Sequence, residues 1–223
     1  MNGREDSPRS TGLVTPVVAP SPSAAVGGGA AELRAAGAFT PIALDARNTR
    51  ITFGVRLGSY MVRGHFGAMH GELRLAGERI DAASIVLDVA AESIETGVPM
   101  RDRHLRGQSF LDTARFPVIS FRSQRIARRA DTLEVGGILS LRGREQHVIA
   151  RCELPAGVDA RQPELRVLGG VLQVSRIEYG VGVPTGLDRI NPIFLIVGRQ
   201  VQLRIDVTVP TSSWAVPFPV PSR

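Results

Sequence analysis

The sequence predicts a mainly β protein, an antiparallel barrel of roughly eight strands with one short helical crossover. Three observations predict this class. Apolar and polar residues alternate along most of the middle of the chain, and glycine-containing turns separate the alternating segments. Residues 99–116 are the one long interruption of that alternation. About eight strands can close a barrel whose interior holds one small ligand.

Alternating segments supply the predicted strands. In the first of them, ITFGVRL, the apolar residues Ile51, Phe53, Val55 and Leu57 fall on one face and the intervening residues on the other. A tight turn at Gly143 joins two later segments. The segments are 51–57, 60–66, 71–77, 84–91, 117–127, 132–143, 146–154, 164–180 and 198–209.

The interruption at 99–116 predicts a partly helical crossover between two strands. Pro99 can begin a helix because its missing N–H is not needed in the first turn. Residues 100–107 then form a short helix that ends at Gly107. A second turn over 110–114 stops before Pro117. In a barrel such a segment covers an end or a side.

Composition divides the chain into one domain and two tails. Residues 1–38 are rich in Ala, Gly, Pro and Ser, which predicts a disordered N-terminal tail. Residues 211–223 form a proline-rich C-terminal tail, because proline removes the donors that a sheet needs. The range 39–210 remains as the barrel domain.

The charge balance gives little functional information. The formal net charge is +6, and all 27 basic residues among Lys and Arg are arginine. Scarce aromatics argue against nucleic-acid binding, whereas contact with anionic membranes stays open. No apolar run approaches the roughly 20 residues of a spanning helix, and prolines interrupt the N-terminal apolar stretch. We therefore expect a cytoplasmic protein. Its oligomeric state is undetermined, with a homodimer among the options.

The residues that carry chemistry do not assemble into a known reaction centre. Asp102 and His104 are two residues apart and do not share a helix face. No nucleophile elbow, phosphate loop or zinc-protease motif accompanies them. His65 and His70 make a weak metal pair without nearby carboxylates, and Cys152 on an alternating strand is predicted to be a buried, inert thiol. We therefore expect no catalysis, no metal and no cofactor.

The run RDRHLRGQSFLDTARFPVISFRS at 101–123 resembles the signature of the YceI-like polyisoprenoid-binding family. Further blocks fit in the same order: RGHF at 63–66, GGILSLRGREQHV at 136–148, SRIEYGVG at 175–182 and VGRQVQLRIDVTV at 197–209. The resemblance runs from about Phe39 to Pro210. The positions that match in the first run are Arg101, Asp102, His104, Leu105, Phe110, Leu111, Asp112, Phe116, Pro117, Ile119, Phe121 and Ser123.

This resemblance implies a lipocalin-like barrel with an apolar cavity that sequesters or transports an isoprenoid or similar amphiphilic lipid, without catalysis. Three polar residues are expected to contact a headgroup at the mouth, namely Arg101, His104 and Arg176. The expected lining is Phe53, Val55, Phe66, Leu87, Phe110, Ile119, Phe121, Leu139, Leu141 and Val174.

Two other functions remain open at this point. A barrel filled by its own side chains could be an interaction module whose proline-rich tail recruits partners. A small-molecule enzyme could be built on Asp102 and His104. The volume and lining of the interior distinguish the carrier from the first alternative, and the surroundings of His104 test the second.

Overall fold

The computed structural model describes residues 40–75, 82–129, 132–153, 165–183 and 196–210. The two predicted tails, 1–38 and 211–223, lie outside the described residues. Within the described part the chain is mainly β, and it contains no helix long and apolar enough to cross a membrane.

Eleven strands and one α-helix make up the described part of the fold. The helix, α1, spans Pro99–Arg106. The strands are β1 (Thr40–Asp45), β2 (Thr49–Leu57), β3 (Tyr60–Phe66), β4 (Met69–Leu75), β5 (Ser84–Ala90), β6 (Ile94–Glu95), β7 (Val118–Arg129), β8 (Thr132–Leu141), β9 (Arg144–Glu153), β10 (Leu165–Ser175) and β11 (Val197–Pro210).

All of these strands belong to one antiparallel sheet in the order β1-β4-β5-β7-β8-β9-β10-β11-β2-β3-β6. The pairing of β11 with β2 joins the two ends of the domain sequence, with Leu203 opposite Phe53 and Val201 opposite Val55. Residues directly opposite each other point to the same face, so these apolar pairs face the interior together. The sheet curls around that interior as a half-barrel.

The predicted count of about eight strands was wrong: the described part of the structure has a strand in each of the nine alternating segments and two more, β1 and β6, that the alternation missed. β1 contains Pro41, which a central strand would not tolerate. In the structure β1 is an end strand of the sheet and pairs only with β4 among the described strands, so the missing N–H costs little. β6 has two residues, too few to show a period of two. The mainly antiparallel β class itself is confirmed.

The crossover forms close to where the sequence places it. Helix α1 begins at Pro99 and ends at Arg106, with Asp102 in its first turn. Gly107 follows as the C-cap, but its φ of −69° is an ordinary extended value rather than the left-handed conformation. The next residues fold back on the helix, since the N–H of Leu111 donates to the carbonyl of Leu105 at 3.0 Å. The segment therefore lies across one end of the half-barrel.

Candidate ligand-binding site

The interior of the half-barrel contains a cavity of about 690 Å³ that is open at the end where the crossover lies. This volume is in the range of pockets that bind small molecules. Its wall is almost entirely apolar, and its polar members are Arg101, Arg103, His104, Gln108, Ser109, Ser120 and Arg176. Such a space can remove a hydrocarbon chain from water and offer polar contacts near the opening.

The structure places all thirteen sequence-predicted site residues on the wall of this one cavity. Strands β2, β3, β5, β7, β8 and β10 and the crossover each contribute at least one of them. They are Phe53, Val55, Phe66, Leu87, Arg101, His104, Phe110, Ile119, Phe121, Leu139, Leu141, Val174 and Arg176. The alternation therefore identified the inward face of each of these strands.

A second set of lining residues was not predicted. On β11, Val201, Leu203 and Ile205 line the wall opposite Val55, Phe53 and Ile51 of β2. The alternation of β11 could have revealed them. Val98 and Met100, before and at the start of α1, also border the cavity. They lie outside the alternating segments, so the period of two could not identify them.

The cavity ends where the half-barrel becomes solid. Along β11 the lining stops at Ile205, and Val209, four residues farther, is fully buried. The packed end is filled by side chains such as Leu44, Leu73 and Leu133. From Val197 at the opening to Ile205, a strand rise of about 3.3 Å per residue carries the lining roughly 25 Å along β11, and the tilt of barrel strands makes the depth itself shorter. The space is thus a deep, one-ended slot.

Two glycines next to aromatic rings of the wall help to keep the slot open. A Cβ at Gly137 would lie 2.8 Å from the Cζ of Phe121, and one at Gly64 would lie 2.5 Å from the Cζ of Phe53. Both rings can therefore lie along the wall, in the space that a larger residue would occupy. The Phe53 and Phe66 rings also pack against each other, with centroids 5.7 Å apart. Large aromatic residues thus line this barrel without filling it.

Arg176 is a buried cation on the cavity wall. It is 5% exposed, and its guanidinium donates to four backbone carbonyls. Nε donates to Gly198 at 2.8 Å, Nη1 to Val181 and Gly182 at 2.8 and 2.7 Å, and Nη2 to Val197 at 2.8 Å. Burial and the nearby Arg199 lower the pKa of Arg176.

These hydrogen bonds give Arg176 a clear structural task. It ties the turn after β10 to the beginning of β11, at the open end of the cavity. Within the described residues no carboxylate pairs with it, so only carbonyl dipoles compensate its charge. A positive field therefore acts on the space beside it.

Asp102 and Arg101 both bind Thr96 rather than forming a reaction centre. The Thr96 N–H donates to the Asp102 carboxylate at 2.9 Å, and the Thr96 hydroxyl donates to the same oxygen. Arg101 donates from Nε to the Thr96 hydroxyl oxygen at 2.7 Å and from Nη2 to its carbonyl at 3.0 Å. Asp102 is buried and is absent from the cavity wall, whereas His104 is exposed at the opening. The structure does not bring this pair together as an acid–base dyad.

Arginines fasten the crossover to its surroundings. Arg106 donates to the carbonyls of Glu92 at 2.6 Å and Ile94 at 2.8 Å, which binds the end of α1 to β6. Arg142 donates to the carbonyl of Gln108 at 2.6 Å. The Gly182 N–H donates to the carbonyl of Ser109 at 2.8 Å. These contacts hold one side of the opening in place.

The remaining candidates for chemistry lie away from the cavity. His65 is 3.5 Å from the Glu95 carboxylate and His70 is 3.6 Å from that of Asp88, so each histidine has its own acid. Among the described residues no group of three His, Cys, Asp or Glu side chains is placed to hold a metal ion. Burial raises the pKa of the Cys152 thiol to about 11, which disfavours the reactive thiolate.

Comparison with known proteins identifies a family over most of the domain. The model of the YceI-like domain matches residues 43–209. A UPF0312 protein of Vibrio cholerae is 26% identical over 129 residues, which are 57% of this chain and 68% of the relative. A UPF0312 protein of Yersinia pseudotuberculosis is 30% identical over 100 residues, 44% of this chain and 52% of the relative.

Solved structures share the fold at low sequence identity. BcnA of Burkholderia cenocepacia superposes with a TM-score of 0.62 at 19% identity, over 72% of this chain and 96% of that protein. A domain of Saccharophagus degradans, described as polyisoprenoid-binding and implicated in plant cell wall breakdown, gives a TM-score of 0.56 at 13% identity, over 77% and 98% of the two chains. The YceI protein of Campylobacter jejuni gives 0.52 at 17% identity, over 67% and 84%.

Proposed function

Because this chain belongs to the YceI-like family, we propose that it binds an isoprenoid or similar amphiphilic lipid in its cavity and sequesters or carries it without catalysis. The observation that carries the proposal is the open apolar slot of about 690 Å³. The description of the Saccharophagus degradans neighbour as polyisoprenoid-binding supports the ligand class.

The geometry of the slot suggests how such a ligand lies. Its hydrocarbon chain extends over the inner face of β2 and β11, against Phe53 and Leu203, where each buried CH₂ contributes about 0.8 kcal/mol. Its polar end stays at the opening, within the field of Arg176 and beside His104. Affinity then comes mainly from the length of buried chain, and the few polar groups orient the headgroup.

The two alternatives explain the structure less well. A solid interaction module does not need an apolar slot of this depth. An enzyme based on Asp102 and His104 would need the carboxylate near the imidazole, but Asp102 is bonded to Thr96 instead. Location in the cytoplasm and the oligomeric state stay predictions, to be checked by cell fractionation and by sedimentation equilibrium.

The direct test is extraction of the purified full-length protein with organic solvent, followed by mass spectrometry. We expect a near-stoichiometric isoprenoid or related lipid. Phe121→Arg, which puts a charge on the cavity wall, should abolish it. Val86→Arg is the matched control, because Val86 is exposed and its neighbour Leu87 takes the inward position. Circular dichroism confirms that both variants fold.

A different result would reject the carrier function. The proposal fails if the extract contains no lipid and the folded protein does not take up added farnesol or a quinone. It also fails if Val86→Arg removes the lipid as completely as Phe121→Arg does, because the loss would then not come from the cavity.

A further inference from the structure

The opening of the cavity is bordered by exposed apolar side chains, which we call the mouth rim: Tyr60, Val98, Met100 and Ile196. Tyr60 is 77% exposed, Met100 69% and Ile196 52%. Among the large hydrophobic residues that are exposed in the described part of the chain, the others are Met61, Val86, Val118 and Ile149. Isolated exposed apolar residues are normal, but a ring of them at one opening marks an interaction site.

Three chain segments bring the rim together. Tyr60 lies opposite Leu57 at the tip of the β2–β3 hairpin, and Leu57 lines the cavity. The N–H of Gly58 in that hairpin donates to the carbonyl of Ile196 at 2.9 Å, which places the start of β11 beside it. Val98 and Met100 border the same opening from the crossover.

The rim is also strongly basic. Its segments 56–60, 98–104 and 196–199 carry the arginines Arg56, Arg101, Arg103 and Arg199. The one acidic residue in these segments, Asp102, is buried, and its carboxylate accepts a hydrogen bond from the Thr96 N–H. Within the described residues, no acid forms an ion pair with any of these four arginines.

We propose that the mouth rim docks on an anionic lipid surface, with its apolar side chains in the interface and its arginines against the headgroups. A stable attachment of this kind needs both apolar burial and basic charge, and the rim supplies both. A second copy of this chain is a poorer partner, because it would bring two sets of unpaired arginines together. Docking places the open slot directly over the lipid from which it would be loaded.

This inference rests on the proposed function for its biological purpose, but its physical test is separate. Cosedimentation measures binding of the full chain to vesicles of phosphatidylcholine alone and to vesicles that also contain phosphatidylglycerol. We expect binding to the second kind, weakening as salt is raised. Uptake of farnesol from solution, measured without vesicles, reports on the cavity alone.

Matched variants assign the binding to the rim. Arg56→Glu, next to Leu57 at the tip of the β2–β3 hairpin, should lower partitioning to the anionic vesicles by roughly tenfold. Arg125→Glu makes the same charge change on an exposed part of β7, and the partitioning of this variant should stay within about twofold of that of the unchanged protein. Tyr60→Ser with Ile196→Ser should reduce binding even at low salt, whereas Ile149→Ser should not. None of these variants should alter farnesol uptake.

Several outcomes would overturn the inference. Absence of binding to anionic vesicles would do so, as would an equal loss from Arg56→Glu and Arg125→Glu. If the rim variants dissociate a dimer in sedimentation while vesicle binding is absent, the rim is an interface between two copies. If vesicles bind as expected and farnesol does not, the docking inference stands and the proposed carrier function fails.

Discussion

Filling the inner end of the slot should have opposite effects on stability and on ligand binding. Ala150 is a small residue on the cavity wall, and replacing it with leucine adds three carbon atoms to that space. Each ligand CH₂ that they displace loses about 0.8 kcal/mol of burial, or about 2.4 kcal/mol for three. The affinity of Ala150→Leu for a prenol should therefore fall by about 50-fold.

The same substitution should not harm the lipid-free protein. The leucine occupies an apolar void, so we expect the free energy of unfolding to rise by about 1 kcal/mol. In a domain of this size that raises Tm by about 2–4 °C. Thermal denaturation of delipidated protein measures the stability, and calorimetric titration with farnesol measures the affinity. Ala127→Leu, on β7 and next to the buried Ile126 that takes the inward position, is the control and should change neither.

The refuting result is a specific pair of measurements. If the interior is filled in solution, the added carbons must overpack it, which costs about 1–3 kcal/mol, so Tm falls instead of rising. A falling Tm with no farnesol binding in either protein would show that the barrel is solid. A rising Tm with unchanged affinity would show that the ligand binds somewhere other than this slot.

Three further predictions follow from individual residues. Gly137→Ala should lower the free energy of unfolding in urea by about 1–3 kcal/mol and weaken farnesol binding, because the added Cβ would overlap the Arg122 carbonyl oxygen and lie 2.8 Å from the Phe121 Cζ. Adding Phe121→Leu should leave most of the stability loss, because the backbone contact remains, and full recovery would contradict this reading. Arg176→Met should lower the free energy of unfolding in urea by about 4 kcal/mol, because it leaves four carbonyls without a donor. Arg176→Lys should lower it less, and equal losses in the two variants would contradict this role of the guanidinium. Burial raises the pKa of Tyr179 to about 12 from an ordinary 10.0, so the fold favours the protonated phenol; this stabilisation is complete below pH 10 and is lost as pH rises toward 12. Tyr179→Phe should flatten that alkaline loss while changing little at neutral pH, because the buried hydroxyl has no partner among the described residues, and an unchanged alkaline profile would refute the assignment.

The local pattern of the sequence was enough for the class of fold and for the inward faces of the strands. A strand directs alternate residues to opposite faces, so a period of two in ITFGVRL assigns Phe53 and Val55 to one side without any knowledge of neighbours. Pro99 and Gly107 bracket the helix for equally local reasons. This is why each residue predicted to line a cavity lies on one, although a ligand there remains a proposal.

Long-range pairing decided what the local pattern could not. β1 is tolerated despite Pro41 because it ends the sheet, and β6 exists because β3 offers it a partner; neither fact is local. Whether the barrel is hollow depends on Phe121 meeting Gly137 and Phe53 meeting Gly64 across strands. The hydrogen-bond partner of Asp102, which is Thr96 rather than His104, depends on how the crossover folds back.

The sequence by itself determined which residues face inward, because side-chain direction in a strand is a property of the backbone. Only the tertiary structure decided that those residues enclose a space instead of filling it. It also decided that Tyr60, Met100 and Ile196, distant along the chain, surround the same opening. The physical reason is that a void and its rim are made by contacts between strands, and those contacts depend on register and curvature as well as on composition.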